Sequence, residues 1–117
     1  MTRLSIPLAI LLLAVGCVTP GNDPVVVQAE RFTELSLDVF DGFLRWQRAN
    51  EDTLGCDVKQ VADRIRRDGQ RWLESARAMT KAYKENRTPE NKTNLDTYMW
   101  VLRVSVDEVQ NYWRPEP

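Results

Sequence analysis

The chain has 117 residues, with Lys+Arg 16 against Asp+Glu 17, 43% hydrophobic and 28% charged, a globular composition too short for more than one domain. It contains no histidine, which excludes His-based metal sites, Ser-His-Asp triads and Cys-His dyads. Its 5 glycines are scattered, so no phosphate-cradling loop is present; no cofactor and no metal are expected, and the chain reads as non-enzymatic.

Met1, Thr2 and Arg3 form a short positive start, and Leu4 to Val15 is a mostly apolar run broken only by Ser5 and Pro7. The run is shorter than the roughly 20 residues that span a bilayer, and with small residues after it reads as a secretory signal peptide. It closes on Ala14, Val15, Gly16 and Cys17. Over these first 17 residues the chain resembles bacterial lipoprotein precursors, whose lipobox places aliphatic or small residues and then Gly or Ala before a cysteine; Ala14 stands where Leu is commoner. The resemblance implies cleavage after Gly16, a diacylglycerol thioether on Cys17 and acylation of the new amino group, and two or three acyl chains anchor a protein effectively permanently. Val18 rather than Asp after the cysteine implies, by the enterobacterial pattern, a periplasmic-side anchor in the outer membrane rather than the inner. The residues alone also admit an ordinary signal peptide that leaves Cys17 as a thiol, or an uncleaved N-terminal helix.

Residues 17–23 then make a polar tether, with Pro20 and Gly21 as turn formers. At about 3.3 Å per residue its reach is roughly 20 Å, so the folded part stays near the membrane face.

Removing residues 1–16 takes away Arg3 alone and leaves 15 basic against 17 acidic side chains. In this remainder Val25, Phe32, Val39 and Trp46 recur by sevens, with Ala29, Leu35, Phe43 and Ala49 between them, the spacing of one helical face. Asp23 suits the cap and Pro24 the first turn. Val58, Ile65, Trp72 and Met79 repeat the pattern, supported by Ala62, Ala76 and Tyr83. Asp68-Gly69 lies inside that run, yet the apolar phase carries across it, so a continuous helix is expected despite about 1 kcal/mol for glycine relative to alanine. Thr88, Pro89 and Glu90 then open a third helix marked by Leu95, Met99, Leu102, Val106, Val109 and Trp113. The spacing predicts helices at about 24–50, 56–86 and 89–113. The expected fold is all-α, an antiparallel three-helix bundle over 24–117 that follows a cleaved signal peptide (1–16) and a lipidated tether (17–23), since the connections are short. The similar stripes leave open a looser homo-oligomer held by coiled coils.

Charge is unevenly divided: residues 22–55 carry net −4, 56–87 net +4 and 88–117 net −2. Arg64, Arg66, Arg67 and Arg71 form the densest basic cluster. At 100° per residue Arg64, Arg67 and Arg71 share one side of the helix and Arg66 lies toward another. The shared patch would suit anionic headgroups; alternatively a basic helix between two acidic ones sets their pairing. Nucleic acid is not expected as a partner, because the export signal and net negative charge both oppose it. Trp100 falls one residue past the apolar stripe and is the best single candidate for a partner contact, with Arg64, Arg67 and Arg71 beside it as further candidates. Cys56, the one cysteine left once Cys17 is lipidated, reads as structural or as an intermolecular disulfide partner. Asp38 with Asp41 and Asp107 with Glu108 are carboxylates close in sequence, with no pocket implied.

These readings point to a small envelope lipoprotein that binds another envelope protein or supports an assembly, anchored to the membrane through lipid. The alternative is a bacteriophage-encoded lipoprotein acting on the host envelope in lysis or superinfection exclusion.

Overall fold

A computed structural model describes residues 23–115. The expected signal peptide, the cleavage after Gly16, the lipidation of Cys17 and most of the tether lie outside the described residues. Those residues form three helices and no strand: α1 (Pro24–Ala49), α2 (Cys56–Glu85) and α3 (Pro89–Gln110).

Each helix begins where local chemistry favours it. Asp23 caps α1 by accepting from the Val25 amide at 2.9 Å, and Pro24 fills the first turn, where its missing N–H costs nothing. Thr88 caps α3 in the same way, accepting from the Asn91 amide at 3.1 Å ahead of Pro89. Gly55 precedes α2 without a side-chain cap. That helix runs unbroken through Asp68-Gly69, as its apolar phase requires. α3 stops at Gln110, three residues short of the expected end, where the amides of Asn111 and Tyr112 turn to the carbonyls three residues back, Glu108 and Val109, at 3.2 and 2.9 Å.

The buried stripe of α1 is Val26, Ala29, Thr33, Ser36, Phe40, Phe43 and Gln47, with Val39 beside it. It alternates steps of three and four, the seam spacing of a helix that packs along its whole length. It also lies one residue off the face drawn from sequence: Val25 and Trp46 are half-buried, and Leu35 and Ala49 are exposed. Three of its seven positions are polar, and each makes a hydrogen bond. Thr33 and Ser36 donate to the Ala29 and Phe32 carbonyls at 2.7 and 2.8 Å, and Gln47 accepts from Arg66 Nη2 at 2.6 Å.

Along α1 and α2 the contacts run in opposite order: Gln47 meets Arg66, Phe40 meets Trp72 edge-on at 6.3 Å, and Glu34 meets Arg77 at 3.2 Å. From α2 to α3 they run opposite again, from Arg64 with Glu108 to Ala82 with Asn91. Along α1 and α3 they rise together, Phe32 under Arg103 and Gly42 against Trp113. The core joins Phe40, Phe43, Ile65, Leu73, Leu102, Val106 and Val109, with Trp46, Trp72 and Trp113 packed around its edge rather than inside it.

Candidate functional site

The phase of α3 is fixed by Leu95, Leu102, Val106 and Val109, all buried. Trp100 precedes Leu102 by two residues and Val104 follows it by two, so at 100° per residue both project about 160° from the core. Trp100 is accordingly 63% exposed and Val104 45% exposed. α3 thus carries apolar side chains on its inner and outer faces alike. Sequence reasoning singled out Trp100 for this reason.

Beside Trp100 the first halves of α1 and α3 separate to leave a groove of about 790 Å³, whose apolar wall includes Phe32, Leu35, Met99 and Trp100. Leu35, 48% exposed, stands at its lip. The rim is cationic: Arg31 lines it, and the Arg103 guanidinium sits 5.7 Å above the Phe32 ring, a cation–π contact. Lys92, on the same rim, is held by Asp96 at 3.1 Å. The groove was missed from sequence because Leu35 was assigned to the core. The alternation of threes and fours through Thr33, Ser36 and Gln47 was the signal that would have turned Leu35 outward.

The basic cluster behaves differently. Arg64 pairs with Glu108 across to α3, and Arg66 is drawn onto buried Gln47 and onto Asp63 at 3.3 Å. Arg67 and Arg71 share Asp68, at 3.1 and 3.4 Å. Three ion pairs join the basic segment to the acidic helices or the α1 cap: Arg64 to Glu108, Arg77 to Glu34 and Arg87 to Asp23. Each arginine of the cluster thus has a carboxylate partner, while Arg67 and Arg71 remain exposed on the surface of α2. The carboxyl of Asp63 is held below its ordinary range by the hydrogen bond from Lys59, aided by Arg66. Asp23 is lowered chiefly by the hydrogen bond from Arg87, which outweighs an opposing desolvation.

Cys56 carries an exposed free thiol at the first position of α2. Of the adjacent carboxylates, Asp41 is bound to Arg45 at 3.0 Å and Glu108 to Arg64, so neither pair forms an isolated acid–base couple. Among the described residues no three metal-binding side chains cluster, and no described helix is long and apolar enough to cross a membrane. Comparison with known proteins finds no family model that fits the chain, and no curated protein or solved structure significantly similar to it.

Proposed function

We propose that the chain is a membrane-anchored envelope lipoprotein acting as a non-enzymatic helical binding module. In this reading residues 1–16 are removed after Gly16, Cys17 carries the lipid, and residues 17–23 tether an antiparallel three-helix bundle to the periplasmic side of a membrane, the outer one favoured. Its partner is another envelope protein, met through the outer face of α3. The opposite order of contacts along α1 and α2, and along α2 and α3, supports the antiparallel arrangement.

The observation that carries the binding role is Trp100. A tryptophan 63% exposed on the outward face of a well-packed helix contributes nothing to the core it turns away from, and aromatic anchors of this kind dominate protein interfaces. Val104 beside it and Leu35 across the groove extend the apolar surface.

The tether is tested by metabolic labelling with palmitate in a bacterium. The full chain should label and partition into detergent, and Cys17→Ser should do neither; labelling that persists in Cys17→Ser would sink the lipid anchor. The binding role is tested by pull-down from solubilised envelopes, comparing the lipidated wild type with Trp100→Ala. An envelope protein enriched by the first and lost from the second is the expected result.

A further inference from the structure

We propose that the groove between α1 and α3 receives an acidic amphipathic helix of the partner, seated as a fourth helix on Phe32, Leu35, Met99 and Trp100 with its carboxylates against Arg31 and Arg103. The inference rests on the binding-module reading and names the chemistry of the partner.

Three observations lead to the acidic helix. The groove is a concave trough between two helices, lined from Val25 to Leu35 on one side and from Lys92 to Arg103 on the other. At 1.5 Å per residue that is about 15 Å of trough, the length of roughly three helical turns, and a helix presenting apolar residues at i, i+3 or i+4 and i+7 fills such a trough. Charge then selects the flanks. Arg64, Arg66, Arg67, Arg71, Arg77 and Arg87 are each paired with a carboxylate. Arg31 and Arg103, by contrast, have no carboxylate among the described residues within ion-pair distance. An apolar trough with two uncompensated guanidiniums, on a chain of net charge −1, is complementary to an apolar stripe flanked by Glu or Asp. Finally, the trough starts at Val25, two residues from the tether's end at Asp23, so a partner reaching it is held close to the membrane face.

The test uses the full lipidated chain in nanodiscs of zwitterionic phosphatidylcholine and two three-turn helical peptides with the same Leu/Phe stripe, one flanked by Glu and one by Lys. Trp100 emission is isolated by comparison with Trp100→Phe. The Glu-flanked peptide should bind and shift that emission to shorter wavelength, and the Lys-flanked peptide should bind at least tenfold more weakly. The double variant Arg31→Gln with Arg103→Gln should lose about tenfold in affinity for the Glu-flanked peptide while its circular dichroism stays unchanged. Equal binding of the two peptides, or full affinity in the double variant, would overturn the proposal. A Trp100 shift without peptide on exchanging phosphatidylcholine for phosphatidylglycerol would assign the trough to the lipid surface instead, and a shift on raising protein concentration alone would assign it to a second copy. Palmitate labelling at Cys17 reads the tether independently, so its failure is distinct from a failure of the peptides to bind.

Discussion

Asp23 caps α1 and binds Arg87, 64 residues further along the chain, at 2.6 Å. One carboxylate therefore fastens the start of α1 to the connection between α2 and α3. Arg87 is itself held by the Tyr83 ring at 5.8 Å and by the Lys84 carbonyl at 3.3 Å. Asn91 Nδ2 closes the same corner with a 2.8 Å bond to the Asn86 carbonyl. The start of α1 is thus held to the α2–α3 connection by side-chain bonds from both sides of that corner.

The pairing makes stability depend on acid. The folded-state pKa of Asp23 lies below its ordinary value of 3.8 because of Arg87, so its contribution is present in full above that value and disappears as pH falls through the lowered one. Asp23→Asn keeps the oxygen that caps Val25 and replaces the one that accepts from Arg87 with an NH2 group, which removes the ion pair. At pH 6 the two proteins should differ by less than about 1 kcal/mol, as expected of a partly exposed pair. Thermal melts should show the difference vanishing in strongly acid solution, and a gap unchanged across that range would mean that Arg87 does not sense the carboxylate.

Two glycines separate by the same measurement. A Cβ on Gly42 would overlap the indole of Trp113 and approach its Cζ2 to 3.0 Å, so Gly42→Ala displaces the ring and should destabilise by about 1–3 kcal/mol. Gly69 faces the Ile65 and Phe40 side chains at 3.2 and 3.7 Å, and the helix gains up to about 1 kcal/mol from alanine. That gain is offset in part by the few tenths of an ångström buried Ile65 must give, so Gly69→Ala should melt within a few degrees of wild type and well above Gly42→Ala. The reverse ranking would remove the contact between Gly42 and Trp113.

Phe43 and Trp72 test where the aromatic residues act. Phe43 is fully buried, and Phe43→Ala should cost about 3–5 kcal/mol. Trp72 is half-buried and meets Phe40 by its edge, so Trp72→Ala should cost less, about 2 kcal/mol by exposed-area scaling. Equal losses in denaturant titrations would put Trp72 in the core, where its heptad spacing had placed it.

Helix number, the starts at Pro24 and Pro89 and the continuity across Gly69 were legible because caps and apolar phase are local properties of the chain. The face of α1 was not. Thr33, Ser36 and Gln47 occupy core positions that a count of apolar residues skips, and they do so because the helix's own carbonyls and Arg66 hydrogen-bond to them. The groove depends on the direction of Leu35 and so was lost with that face. The outward direction of Trp100 was legible because Leu95, Met99, Leu102, Val106 and Val109 mark the phase of α3 with apolar residues, Ser105 being the one polar residue buried beside them. The pairing of Arg64 with Glu108 spans two helices and has no signature in sequence beyond the alternation of basic and acidic segments.

That alternation bears on whether the basic face of α2 could contact a membrane surface. Arg64 is engaged by Glu108, and Arg67 and Arg71 converge on one carboxylate, Asp68, so the three arginines present less free charge than their number suggests. A free basic residue near an anionic surface adds about 1 kcal/mol of attraction, and a paired one adds less. Changing Arg64, Arg67 and Arg71 together to Gln should leave membrane partition of the lipidated chain unchanged, whereas Cys17→Ser alone should release it. Without its lipid the domain should bind phosphatidylglycerol vesicles weakly or not at all at physiological salt. Submicromolar binding in a flotation assay, abolished by the triple Gln change with helicity intact, would make the basic face of α2 a membrane contact and reduce the ion pairs to incidental neighbours.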